Sequence, residues 1–154
     1  RLLLCYDNGR VNVLSPKTVV SEKLTSASRL YRNGYNAEKG VKLLHALVCA
    51  ADDYLVIRSR KENGREMVKA VPVASCTVCG GKSMDAKGNI FVKTELATPV
   101  YMQIVPASHM SFIYGIICKS SEKYGPGHAV DSEFCRNIMN YLERQAKSAN
   151  PVTY

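Results

Sequence analysis

Cys76-Thr-Val-Cys79-Gly-Gly is the stretch whose residue types and spacing best match metal chemistry. A C-x-x-C step followed by glycines lets two thiolates converge on one ion, as in a zinc knuckle. A tetrahedral structural site needs four ligands, and the sequence has no second C-x-x-C or H-x-H pair. Cys118, Cys135, His109 and His128 could complete one only through tertiary placement. The alternative is two strand cysteines ahead of a glycine turn, and no cofactor is expected. For nucleophilic chemistry the sequence offers His128 with Cys135, but Cys135 falls in a predicted apolar helix stripe, where a thiolate is hard to stabilise. His45 lies in an apolar run, as a core histidine does, and Asp52-Asp53 reads as a turn before a strand. There is no H-E-x-x-H, G-x-S-x-G or dinucleotide fingerprint, and Gly80-Gly-Lys-Ser83 lacks the spacing of a P-loop. An enzyme is not expected.

Charge is the stronger signal. Lys and Arg number 21 against 13 Asp and Glu, a formal net charge of +8. The excess concentrates over 58–93, in Arg58, Arg60, Lys61, Arg65, Lys69, Lys82, Lys87 and Lys93, against Glu62, Glu66 and Asp85. Such a patch favours an anionic partner: an acidic or phosphorylated protein segment, nucleic acid or an anionic lipid. Nucleic-acid domains interleave aromatics with their basic residues. Here only Tyr54 and Phe91 are near and Trp is absent, so a protein segment ranks above nucleic acid. Arg58, Arg60, Arg65 and Lys69, with Lys82 and Lys87 in the next loop, are the expected partner-facing residues.

The elements that would position them are mostly hairpins. Asn8-Gly9 and Asn63-Gly64 each separate two alternating runs, the strongest short hairpin signal. Two-residue loops pair Tyr6 with Val11 and Leu4 with Val13, and in the second hairpin Glu62 with Arg65 and Lys61 with Glu66. The same register faces Arg58 to Lys69 on a solvent side, with Leu55, Ile57, Val68 and Ala70 on the apolar side. Further strands are expected over 18–24, 28–32, 89–96, 100–105 and 111–120, and an extension of the second hairpin over 72–78. Residues 36–51 read either as a helix capped by Asn36 or as a buried strand over 43–49. Residues 80–88 and 122–129 are loops. An amphipathic helix over 131–147 closes the chain, with Phe134, Cys135, Ile138, Met139, Leu142 and Ala146 as its apolar stripe.

The expected class is therefore α+β: an antiparallel sheet built from hairpins with a C-terminal amphipathic helix across it. At 154 residues the chain fits a single domain, or two small fused units joined near 50–64. Arg1, in place of an initiator Met, suggests a segment of a longer protein. No apolar run approaches the roughly 20 residues of a bilayer span. Six cysteines set mostly in apolar segments suggest a reducing compartment, cytosolic or nuclear rather than secreted.

Leu4-Cys-Tyr-Asp-Asn-Gly-Arg-Val-Asn-Val-Leu14, followed by Ser28-Arg-Leu-Tyr-Arg-Asn-Gly34, resembles the opening of a polo box, the non-catalytic module that follows the kinase domain of polo-like kinases. Ile113-Tyr-Gly-Ile-Ile-Cys118 and Phe134-Cys-Arg-Asn-Ile-Met-Asn-Tyr-Leu142 are similar to its last strand and long helix. A polo box is about half this length, and the Trp and His-x-Lys pincer of the phosphopeptide-reading type are absent. The resemblance thus implies a divergent or cryptic polo box, as in the kinase of centriole duplication, which binds acidic segments through basic surface and often forms homodimers. A second resemblance is to the pleckstrin-homology superfold, including EVH1 and phosphotyrosine-binding adaptors, through Ser111-Phe-Ile-Tyr-Gly-Ile-Ile117 ahead of the helix. That superfold implies a closed seven-stranded barrel, the polo box an open six-stranded sheet. The reading from another class is a zinc-stabilised nucleic-acid-binding domain around Cys76 and Cys79.

Overall fold

The computed structural model describes residues 1–15, 42–76, 78–79, 89–118 and 123–149. The strands expected over 18–24 and 28–32, together with Lys82 and Lys87, lie outside them. Among the described residues nine strands are seen: β1 (Leu2–Tyr6), β2 (Arg10–Leu14), β3 (Leu43–Val48), β4 (Tyr54–Arg60), β5 (Glu66–Pro72), β6 (Val78–Cys79), β7 (Asn89–Ile90), β8 (Thr98–Val105) and β9 (His128–Ala129). Helix α1 (Met110–Ile113) is one turn, and α2 (Glu133–Ala149) is the long C-terminal helix.

The expected α+β class holds, but the strands form two sheets rather than one. The first runs β3-β1-β2-β6, with β7 also on β2; the second runs β8-β4-β5-β9. All pairings are antiparallel except β2 with β6. Among the described residues these facing sheets form neither a closed seven-stranded barrel nor a single six-stranded sheet. The first sheet takes strands from both sides of 50–64, so the sheets are not consecutive halves of the chain. Of the residues read as helix or buried strand over 36–51, Leu43–Val48 form the strand and 36–41 lie outside the described residues; of the strand expected over 111–120, residues 111–116 are instead α1 and a 3₁₀ turn at Tyr114–Ile116.

Both Asn-Gly hairpins form where the sequence places them, each shifted by one residue. Gly9 donates its N–H to Tyr6 O at 3.2 Å and Gly64 to Lys61 O at 2.8 Å, and each glycine has φ above +80°. The side-chain oxygens of Asn8 and Asn63 accept from the N–H of Arg10 and Arg65 at 3.1 and 3.0 Å. This is a three-residue loop, a tight turn followed by a left-handed glycine, not the two-residue loop expected. Cys5 therefore faces Val11 and Leu3 faces Val13. In the second hairpin Arg58 faces Val68 and Ile57 faces Lys69. A one-residue slip moves one strand's side chains to the opposite face relative to its partner's.

That slip determines what is buried. Leu55, Ile57 and Val71 face the first sheet and join Leu3, Cys5, Val11 and Val13 in one cluster. Val56, Val68 and Ala70 face the other way and join Cys135, Ile138, Met139 and Leu142 of α2 in a second. Hence the β4–β5 sheet is the middle layer, covered by a sheet on one face and a helix on the other. The expected solvent face of that hairpin does not exist over most of its length. A third cluster, Leu4, Tyr6 and Leu14, lies on the far side of the first sheet.

Candidate docking surface

The predicted cationic face does not assemble. Lys69, set opposite Ile57, is 1% exposed, and its ammonium donates to the carbonyls of Phe91 and of Lys123, the latter at 2.9 Å. Burial of a cation is tolerable only with such partners. Arg58 and Arg60 converge on one carboxylate, Glu66, at 3.8 and 3.2 Å, and Arg65 reaches Asp131 at 3.7 Å. Ion pairs of this exposure add little stability, yet they cancel much of the field the arginines would offer an anion. The sequence suggests one wall for these four cations; the structure gives three of them carboxylate partners and buries the fourth. Lys93 and Lys123 each lie over the Tyr124 ring, 5.0 and 5.3 Å from its centre.

Metal chemistry is equally unsupported by what is described. Cys76 is buried, and its thiol donates to Pro72 O at 3.7 Å. Burial, with Cys49 nearby, pushes its pKa up to about 11, so the thiolate a metal needs is disfavoured. Cys5 is pushed up to about 12 by burial and by Cys49 and Cys76. Cys79 ends the short strand β6. Among the described residues no group of three or more His, Cys, Asp or Glu could hold a metal ion. Cys135 lies in the helix core, as its place in the apolar stripe implied, while His128 packs against the Phe134 ring at 5.4 Å. His45 is not a core histidine: it stands half-buried on β3 with its ring edge-on to Tyr101 at 5.0 Å, and partial burial lowers its pKa.

The flank of α2 presents a different arrangement. Residue 141 stands seven positions after residue 134, which returns a helix to nearly the same side. Tyr141 is buried, its hydroxyl 2.7 Å from His109 Nδ1. Phe112, carried by α1, stacks on it almost parallel, with ring centres 4.6 Å apart and an 8° tilt. Phe112 nevertheless stays 55% exposed, and Tyr114 and Phe134 are 73% and 53% exposed. Phe134 thus lies outside the apolar stripe assigned to it, its ring resting over Gly115 in space that a Cβ there would need. A cleft of about 600 Å³ opens between Phe112, Tyr141 and the helix residues Asn137, Asn140, Glu143, Arg144 and Lys147. A half-exposed aromatic lining a cleft in this way is a common mark of an interface.

Sequence reasoning missed this surface because 111–120, read as a strand, sends Phe112 and Tyr114 to different neighbours. The signal available was Pro106, which favours the first turn of a helix, ahead of Ala107–His109 and α1.

No family model matches the chain, and neither a curated protein nor a solved structure does so. No helix among the described residues is long and apolar enough to cross a membrane.

Proposed function

We propose that the chain is a non-catalytic protein-docking module, polo-box-like in its opening hairpin and closing helix, that binds an acidic segment of a partner along the α2 flank. The observation that carries this reading is the Phe112–Tyr141 stack. A phenyl ring held rigidly against a buried, hydrogen-bonded tyrosine is pre-ordered for contact at little entropic cost, and it is left half in water. An apolar side chain of the partner would cover Phe112, while Lys147 at the end of the cleft would meet one of its carboxylates. The overall charge of +8 steers an acidic partner toward the molecule. The hairpin arginines Arg58, Arg60 and Arg65 remain rim contributors at most, since each would have to leave a carboxylate.

A displayed peptide library tests this. Wild-type protein should enrich sequences in which carboxylates flank an apolar residue, and Phe112→Ala should weaken the best of them about tenfold or more. Arg58→Glu should change the same affinity by only about twofold. Enrichment without acidic residues, or equal affinity of Phe112→Ala, overturns the reading.

A further inference from the structure

Asn8-Gly9 and Asn63-Gly64 share their context as well as their turn. Each follows an acid and precedes an arginine, in Asp7-Asn8-Gly9-Arg10 and Glu62-Asn63-Gly64-Arg65. Each is closed by the same two hydrogen bonds: the glycine N–H donates to the carbonyl three residues back, and the asparagine Oδ1 accepts from the arginine backbone N–H. The remaining Asn-Gly pair, Asn33-Gly34, lies outside the described residues. An asparagine before glycine is open to attack by the next backbone nitrogen, because no Cβ shields that nitrogen. By sequence the two turns are equally exposed to this chemistry.

Their surroundings are unlike. Asp7 donates its N–H to Lys42 O and accepts the Lys42 N–H on Oδ1, both at 2.9 Å. On the other flank Arg10 and Val11 pair with β7, and Gly9 is buried against the carbonyl of Val92. The second turn has no such neighbours. Residues 62–65 are all exposed, and a Cβ on Gly64 would meet nothing within 4 Å. Asn63 borders an open cleft of about 500 Å³ facing Glu95, Leu96 and Pro126. The tie from this tip to another segment is the ion pair of Arg65 with Asp131 at 3.7 Å, between two exposed side chains. Opening the first turn displaces β7 and the Lys42 segment, whereas opening the second only frays a hairpin end.

We propose that Asn63 is a site of spontaneous deamidation in the folded protein, and that the fold protects Asn8 from the same reaction. When the tip opens, the Gly64 N–H gives its proton to hydroxide and the nitrogen attacks Cγ of Asn63. The N–Cγ bond forms, the Cγ–Nδ2 bond breaks, and Nδ2 takes a proton from water and leaves as ammonia. Water then opens the cyclic imide at one of its two carbonyls. One opening gives aspartate, and the other gives isoaspartate, whose peptide link runs through Cγ. Either product lowers the net charge by one from +8 and sets a carboxylate between Glu62 and Arg65. Water and hydroxide are the only co-reactants. The inference is independent of the α2 flank.

Prolonged incubation of the intact chain in mildly alkaline buffer, followed by peptide mapping with mass spectrometry, gives the rate at each asparagine. A parallel incubation in urea gives the rates in the unfolded chain. There the matched flanking residues should make Asn8 and Asn63 react within about twofold of each other. In the folded protein Asn63 should react at least about tenfold faster than Asn8. Similar rates at the two sites in the folded protein overturn the proposal, as does a folded protein in which neither reacts. So does a preference for Asn63 that persists undiminished in urea, since its origin would then be the sequence and not the fold.

Discussion

The ammonium of Lys69 and the carbonyl oxygen of Lys123 are 2.9 Å apart although 54 residues separate them in sequence. With the second bond, to Phe91, one buried cation ties β5 to two segments remote from it in sequence. Lys69 is thus a clamp inside the molecule, not a contact on its outside.

Lys69→Met keeps the length of the side chain and removes the donors, leaving two carbonyls short of a partner. The expected loss is about 2–4 kcal/mol, or a melting temperature lower by roughly 5–15 °C. Lys69→Glu should prevent folding, because a carboxylate cannot satisfy carbonyl oxygens. Arg58→Glu should melt near the wild type. Thermal unfolding by circular dichroism separates these outcomes; a Lys69→Met protein with unchanged melting would show the clamp to be idle.

Gly9 and Gly64 hold the same place in two copies of one turn, yet their surroundings differ. A Cβ on Gly64 would meet nothing within 4 Å, while one on Gly9 would collide with Val92 O. Gly64→Ala should cost only the left-handed strain, about 1–2 kcal/mol. Gly9→Ala should cost clearly more, since the backbone of Val92 has to move. Urea midpoints of the two variants give the comparison.

The thiols set an alkaline limit on stability. In the unfolded chain Cys5 and Cys76 ionise near 9.0, and in the native state near 12 and 11. Below pH 9 both states keep these protons and the contribution is constant. Above it the unfolded chain loses protons that the native one retains, so stability falls as pH rises toward 11–12. Urea unfolding between about pH 7.5 and about pH 10.5 should show that slope, and Cys5→Ala should reduce it.

Tyr141→Phe removes the bond to His109 and leaves the stack with Phe112 in place. The expected loss is about 1 kcal/mol with little change in partner affinity. Phe112→Ala should do the reverse, affecting binding and hardly stability. A calorimetric melt beside a titration distinguishes the two roles.

Much of the fold is legible in the residues. Both Asn-Gly turns and the amphipathic helix follow from short-range pattern, which sees turn chemistry and periodicity directly, while Leu43–Val48 suits a helix face and a strand alike in sequence. Hairpin register does not, because Asp7-Asn8-Gly9 and Glu62-Asn63-Gly64 suit a two-residue and a three-residue loop equally well in sequence. That single ambiguity moves Lys69 from solvent to core. The excess of cations over 58–93 is plain in the residues, but their carboxylate partners do not all lie within that window: Asp131 comes from the far end of the chain to meet Arg65. The aromatic flank is invisible for a similar reason, since stacking of Phe112 on Tyr141 joins residues from two elements.

Val56 and Ile57 are neighbours in sequence but belong to different hydrophobic clusters, one under α2 and one under the first sheet. Because the central ribbon lends a side chain alternately to each, neither half has a wall of its own. Peeling the helix away strips one side of the partition on which the other half rests. The molecule is consequently bound to come apart as a whole, in one transition seen alike by a probe on the helix and a probe on the opposite sheet.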